Sequence, residues 1–322
     1  MGFWRRLHRL TSRGQVMILT YHAVVRQPLG VPDACFLAEH SFIEQLEYLS
    51  RRFEFVRLQD VTACLRRGTI ERPMAVLTFD DGYRNNFEVA YPVLRRLDAP
   101  ATIFLATRFI DSTDMIWSWR LHRAVTHTSR REITWRSERF PLTTIHERQG
   151  AARALKRQLK ALAHPELERE TAALVEQLGD DPARPADPDS PFAMLDTAAI
   201  RQMAASGLVD FGAHTCSHAI LSRLSPDECR HEVVESIRRV KEVTGRPCVL
   251  FAYPNGQKRD YTSAAVSLLE SAGIQTAVTT MRHANTPATP ALELGRFSVR
   301  AGMTGGDVMS MIDGAYVDAS MA

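Results

Sequence analysis

The chain has 322 residues, 45% of them hydrophobic, and 40 Lys and Arg against 37 Asp and Glu give a formal charge of +3. That length can bury the core of one α/β unit, and so small a charge gives no ground for a nucleic-acid partner. The five cysteines, Cys35, Cys64, Cys216, Cys229 and Cys248, contain no CxxC pair. They suggest neither a disulfide framework nor a Cys-zinc site, and they suit a reducing compartment.

At the N-terminus, residues 3–10 carry Phe3, Trp4, Leu7 and Leu10 among basic residues. They form a candidate basic amphipathic anchor, with an ordinary packed helix as the alternative. No apolar run there is long enough for a signal peptide, and no stretch of about 18 apolar residues occurs. The expected location is cytoplasmic, with peripheral membrane association as its variant.

Beyond that point, short apolar runs alternate with helical patterns. Val16–Tyr21 reads as a strand, and Phe42 to Arg51 as a helix with Phe42, Ile43, Leu46 and Leu49 at helical spacing. Met74–Phe79 is a buried strand ending at two aspartates. Asn86–Leu97 reads as a helix that accepts Pro92 only in its first turn or as a kink. Ala101–Ala106 is a strand, Asp196–Ser206 a helix closed by Gly207, and Leu208–Gly212 a strand. Pro226–Val243 is a long helix, opened by Ser225-Pro226 and stopped at Gly245. Cys248–Tyr253, Tyr261–Ala272 and Thr276–Thr280 follow as strand, helix and strand. The alternation predicts parallel strands with helical crossovers, hence a barrel or a doubly wound sheet.

Residues 117–192 interrupt this order. Gln149–Leu162 and Pro165–Leu178 read as helices, followed by a proline-rich loop from Gly179 to Pro191. The expectation is one domain, 1–322, with this segment as an insertion on the barrel. Between Arg120 and Lys160, eleven Lys and Arg face three Glu. That stretch is either a membrane-surface or acidic-glycan contact or a solvated helical face.

The chemistry gathers at strand ends. Thr78-Phe79-Asp80-Asp81-Gly82-Tyr83 puts two carboxylates after one strand, and His214-Thr215-Cys216-Ser217-His218 puts two imidazoles after another. In parallel α/β folds these ends are where active sites form. If the strand continues, Asp80 and Asp81 point opposite ways, one to a metal and the other to a substrate; the plainer alternative is a turn and helix cap. If His214 and His218 open a helical turn, their i, i+4 spacing lets both reach one ion. Two imidazoles and one carboxylate leave open coordination positions, as catalytic zinc requires, and Zn, Co, Ni or Mn can use that set. Cys216 at i+2 should point away as a packed thiol. No Gly-x-Ser-x-Gly elbow, phosphate loop or dinucleotide fingerprint occurs, which leaves metal-assisted water attack.

These two motifs resemble the first two of the polysaccharide deacetylases, carbohydrate esterase family 4. Phe251-Ala252-Tyr253-Pro254-Asn255-Gly256 is similar to the third, and Leu19-Thr20-Tyr21-His22 resembles one branch of the family. The resemblance covers roughly residues 16–110 and 195–300 and leaves the insertion out. It implies a distorted (β/α) barrel that removes N-acetyl groups from an amino-sugar polysaccharide, oligosaccharide or glycolipid-linked sugar. It implies Asp80 as general base, Asp81, His214 and His218 as ligands of a divalent ion, foremost Zn2+, and a backbone N–H at Asn255 as oxyanion donor. The family's usual Leu-x-His acid motif has no counterpart here. His22 takes the place of the acid used in one branch, and His283 is the alternative. An arginine that steadies the base usually stands where this chain has Ala252; Arg296 and Asp260 are candidate replacements. Trp117 and Trp119 either line a glycan groove or pack in a core. Rival expectations are a deformylase-like amide hydrolase and a catalytically weak glycan-binding relative.

Overall fold

The computed structural model describes residues 16–67 and 72–320, so the segment expected at residues 3–10 lies outside the described residues. In chain order its strands are β1 (Val16–Tyr21), β2 (Ala23–Val25), β3 (Phe36–Ala38), β4 (Glu54–Phe55), β5 (Met74–Phe79), β6 (Ala101–Leu105), β7 (Glu132–Trp135), β8 (Glu138–Pro141), β9 (Val209–Ala213), β10 (Leu250–Ala252), β11 (Thr276–Val278) and β12 (Phe297–Ser298). Its α-helices are α1 (Glu39–Ser50), α2 (Leu58–Arg67), α3 (Tyr91–Arg96), α4 (Trp117–His127), α5 (Ile145–Leu159), α6 (His164–Gln177), α7 (Thr197–Ala205), α8 (Pro226–Thr244), α9 (Ser263–Ser271) and α10 (Gly305–Ser320).

Strands β11-β10-β9-β6-β5-β1-β12 form one parallel sheet in that order, with β4 added beside the start of β5. The sheet curls until its ends nearly meet. The segment leading into β12 bridges at Leu294 to Val278 of β11, and Phe297 then pairs with Leu19 of β1. This is the distorted (β/α) barrel that the resemblance implies, and it decides between the barrel and the doubly wound sheet that the alternation left open.

Strand alternation divides the side chains between two surfaces. From β5, Ala75, Leu77 and Phe79 pack outward in a cluster with Phe42 and Leu46 of α1 and Val233 of α8. Val76 points inward with Val16, Ile18, Phe104, Leu250, Ala252 and Val278, and Leu58, Val61 and Leu65 of α2 close that cluster from one end. Such strands, apolar on both faces, read as continuous hydrophobic runs. Thr78 and Asp80 continue the inward face of β5 above Val76, so the interior turns polar toward the carboxyl ends of the strands.

The helix signals act where the sequence has them. Ser225 caps α8 through a reciprocal box with Glu228, Pro226 stands in its first turn, and Gly245 ends it at φ 68°. Pro92 neither ends nor kinks one helix. A π-helical turn, Asn86–Ala90, runs first, and α3 then begins with Pro92 in its first turn, where a missing N–H costs nothing. Strand β10 is shorter than expected, with only Leu250–Ala252 paired.

The insertion contains more than the two helices read from its sequence. Helix α4 precedes them, and β7 and β8 form an antiparallel hairpin. Its turn uses Arg136 and Ser137 at φ 49° and 65° in place of the usual Asn-Gly pair, so no hairpin signal stood in the sequence. Leu121, Val125, Ile133, Trp135, Leu155 and Leu174 share one apolar cluster with Phe36, Tyr83, Ala106 and Phe109 of the barrel. The insertion therefore packs at the ends of β5 and β6.

Five of the eleven cations between Arg120 and Lys160 pair with carboxylates. Arg120 pairs with Glu168, Arg123 with Asp180, Arg136 with Glu166, Arg139 with Glu132 and Lys156 with Asp33. Arg148 donates to the carbonyls of Val125, Thr126 and Thr128. No helix among the described residues is long and apolar enough to cross a membrane.

Candidate active site

Asp80 lies at the inner end of β5, 3% exposed. Arg296, wholly buried, donates from both terminal nitrogens to its two oxygens at 2.7 Å each. The arginine is itself fixed by Thr279 O at 2.7 Å and Thr78 Oγ1 at 3.1 Å. Ala252 occupies the inner wall with a methyl group, and Arg296 enters from the closing segment before β12. Burial pushes the Asp80 carboxyl up, but the Arg296 charge, His214, the Arg296 hydrogen bonds and His22 together hold it well below the usual carboxylate range. Asp80 is thus an ionised acceptor throughout the neutral range.

Asp81 does not continue the strand. Its φ is 76° and that of Gly82 is 86°, a left-handed turn that brings the second carboxylate into the same cleft as the first. A Cβ on Gly82 would lie 2.7 Å from Leu105 Cδ2, so only glycine fits there. The opposite-facing pair expected from strand alternation is therefore replaced by a turn. Tyr83 OH donates to Asp81 Oδ2 at 2.6 Å, and Trp119 Nε1 donates to the Tyr83 oxygen. Burial and the adjacent Asp81 charge push the Tyr83 hydroxyl well up, keeping it a donor.

The remaining Asp81 oxygen, Oδ1, is buried without a hydrogen-bond partner. It faces His218 Nε2 at 3.3 Å and His214 Nε2 at 3.5 Å. One ligand atom from each of these three residues falls within 4.8 Å of the others. His214 Nδ1 donates to Ala252 O at 2.7 Å, which leaves Nε2 as the lone-pair atom aimed at Asp81. Burial pushes His214 down to about 4 and, with Lys160, His218 down to about 3, so both imidazoles are neutral at pH 7. An orphaned carboxylate oxygen between two neutral imidazoles is a donor set that fits a divalent ion.

The two histidines do not meet on a helix. They lie on a loop in which Thr215 and His218 take φ values of 62° and 61°. Glu232 of α8 clasps it: Oε2 accepts from the N–H groups of Cys216 and Ser217 at 2.7 and 2.9 Å, and Oε1 from Ser217 Oγ at 2.7 Å. Cys216 Sγ points to Glu232 O and is not among the ligand atoms that gather at Asp81, and burial with the Glu232 charge pushes its thiol up to about 12.

His22 follows β1, and the ladder that pairs Tyr21 with Phe79 puts it beside Asp80. Its carbonyl accepts from Asn86 Nδ2 at 2.7 Å, while its Nδ1 is buried with no partner. His283 instead packs its ring on Gly295. Asn255 follows β10 at φ 60°, its Oδ1 accepting from Lys160 Nζ at 2.8 Å. Asp260 does not touch Asp80; it closes the turn 258–260 by accepting from Gln257 N at 2.9 Å. Trp117 and Trp119 are 2% and 4% exposed and belong to the insertion's core, with no open groove face.

Sequence reasoning gave no role in the site to Tyr83, which it had only as the last residue of the first motif, to Lys160, which it had only as the end of the basic stretch, or to Glu232 and His164. His164, at the start of α6, donates from Nε2 to Ser217 Oγ at 2.9 Å. Tyr83 acts on Asp81 within its own motif, whereas Glu232, Lys160 and His164 act through partners that only the tertiary fold supplies.

By sequence, no curated protein matches the chain. Among solved structures, the deacetylase PplD of Streptococcus pyogenes in complex with acetate is similar at a TM-score of 0.61 and 17% identity, over 92% of this chain and 97% of that one. IcaB from Ammonifex degensii matches at 0.59 and 20%, over 92% and 97%. A de-N-acetylase from Aggregatibacter actinomycetemcomitans matches at 0.55 and 15%, over 92% and 99%. At such identities the likeness is one of fold. The sequence profile of the family described as polysaccharide deacetylase spans residues 67–277, from the strand that ends at Asp80 through both histidines to β11, and by that match this chain belongs to the polysaccharide deacetylase family.

Proposed function

We propose that this protein is a metal-dependent hydrolase that removes the N-acetyl group from an amino sugar within a saccharide or a lipid-linked glycan. The observation that carries this is the ionised Asp80, clamped by Arg296, beside the Asp81, His214 and His218 cluster. Asp81, His214 and His218 would hold a divalent ion, which would supply Lewis-acid activation of the amide and of the attacking water. Asp80 takes the proton of the attacking water, with Arg296 fixing the direction of its lone pairs. In this reading the Asn255 backbone N–H is the donor to the charge that grows on the acetyl oxygen. His22, beside the base at the end of β1 and with a buried Nδ1 that has no partner, gives a proton to the departing amine. Acetate and a free amino sugar are the products.

Arg296 also bears on the deformylase-like alternative. The arginine missing from the third motif was one ground for that alternative, and Arg296 makes the contact with Asp80 that such an arginine would make.

Acetate release from N-acetylglucosamine oligomers tests the assignment. Activity should stop in excess chelator and return with added Zn2+ or Co2+. Asp80→Asn should lower kcat by roughly 10²–10⁴-fold, the usual worth of a general base. Turnover that survives complete metal removal would sink the metal role, and release of formyl but not acetyl groups would move the assignment to a deformylase.

A further inference from the structure

The insertion touches all three strand-end motifs with defined contacts. Trp119 donates to Tyr83, which holds Asp81. His164 donates to Ser217 in the histidine loop. Lys160, where α5 ends, donates to Asn255 in the third motif. One turn earlier, Lys156 is fixed by Asp33 at 3.0 Å and stands 4.0 Å over the Trp119 ring. The end of α5 is thus held in place, and Lys160 has little freedom to swing away.

Lys160 stands out among these contacts. It is half-buried, and its ammonium pairs with no carboxylate among the described residues; its hydrogen-bond partner is the neutral Asn255 amide. Two of its three N–H donors remain for something else. Burial pushes its pKa down, a sign of a charge held partly out of water. Burial outweighs the attraction of Asp260 and Asp81, neither of which is within ion-pair distance, so an anion forming against the free donors of Lys160 would be stabilised. With Asn255 read as the oxyanion donor, the negative charge that forms next to it in amide hydrolysis is the oxyanion of the tetrahedral state.

We propose that Lys160, delivered by the insertion, is an electrostatic element of the oxyanion site, fixing Asn255 and placing a positive charge beside the oxygen that becomes negative. This rests on the deacetylase assignment above. It makes the insertion part of the catalytic cleft, and it assigns a role to a cation that stands outside the matched motifs. Because the charge acts on the transition state, its loss should lower kcat more than it raises KM.

Three variants separate charge from tether: Lys160→Arg keeps the charge, Lys160→Gln keeps a donor to Asn255 without charge, and Lys160→Met removes both. Metal-loaded enzymes are compared on neutral N-acetylglucosamine oligomers, with thermal unfolding measured alongside to exclude loss of fold. We expect kcat to fall on the order of tenfold or more in both Lys160→Gln and Lys160→Met with KM little changed, and Lys160→Arg to stay within a few-fold of the parent. Full kcat in Lys160→Gln with loss in Lys160→Met would reduce Lys160 to a tether and overturn the charge role. Parent-like kcat in all three, in an enzyme whose parent releases acetate, would overturn the proposal and leave the deacetylase assignment intact. A rise in KM confined to anionic saccharides would assign the cation to substrate binding instead, and would equally overturn it.

Discussion

Arg296 and Asp80 form a buried, bidentate pair whose parts are 216 residues apart in sequence. Charge-assisted forks of this kind are both strong and directional. Removing one partner leaves the other charged and buried, so Arg296→Met should lower stability by roughly 3–5 kcal/mol. Adding Asp80→Asn to that variant should recover part of the loss, since the orphaned charge is then gone. Chemical denaturation of the single and double variants reads this directly, and equal instability of the two would rule out the pairing. Arg296→Lys keeps a charge but loses the fork, so folding should survive while kcat falls, by up to about a hundredfold for a misdirected base. The pair also sets a pH dependence. Asp80 has a folded pKa below its unfolded value, so its contribution is fully present above about pH 4 and is lost as pH falls through the depressed value.

At the scale of elements, the histidine loop depends on α8. Two residues of that loop sit in the left-handed region, each at a cost for a side chain with a Cβ, and the Glu232 carboxylate offsets this by accepting three donors. Glu232→Ala should therefore leave the barrel folded but splay His214 from His218. Competition with a chromogenic chelator should show metal affinity falling by roughly 10–100-fold, the usual effect of losing an outer partner of the ligands. Unchanged affinity would mean that the loop holds its shape without α8. What could be read from sequence follows the same division. Elements with a period and a stop signal were legible: β5 as an apolar run, α8 from Ser225-Pro226 to Gly245, α7 from Asp196 to Gly207. The convergence of His214 and His218 was legible as spacing, but its cause was not, because a helical turn and a left-handed loop clasped from a distance serve the same i, i+4 pair. The hairpin β7–β8 was hidden by the absence of glycine or asparagine in its turn. The place of Arg296 depends on barrel closure between β11 and β1, which no local pattern encodes.

For the whole molecule, the decisive relation is that between barrel and insertion, since Trp119, Lys160 and His164 reach the cleft only while the insertion stays docked. His122 of α4 is a monitor of that docking. It is 2% exposed, its Nε2 lies 3.0 Å from Val31 O in the loop between β2 and β3, and its ring packs edge-on against the stacked pair Trp119 and Phe192. Burial first, then the Lys156 charge, pushes its pKa down to about 4, against the opposing pull of Asp33 and the Val31 carbonyl. A histidine with a depressed folded pKa contributes stability that is present above its unfolded value near 6.5 and lost as pH falls through about 4. Over that window the docked insertion should weaken by on the order of 3 kcal/mol. His214 and His218 titrate toward the same range in metal-free protein, so the comparison that isolates His122 is with His122→Gln, which keeps a donor for Val31 O but has no charge to gain. Trp117, Trp119 and Trp135, three of the four tryptophans, belong to the insertion, so intrinsic fluorescence during urea unfolding reports on it selectively. The parent protein should lose resistance to urea steadily between pH 6.5 and 4, and His122→Gln should lose distinctly less over the same interval. Identical acid limbs in the two proteins would show that the insertion is held without regard to the state of His122. If the limbs do differ, acetate release should fall with the fluorescence transition rather than with later melting of the barrel, because the cleft loses Lys160 and the Trp119–Tyr83 support of Asp81 when the insertion lifts.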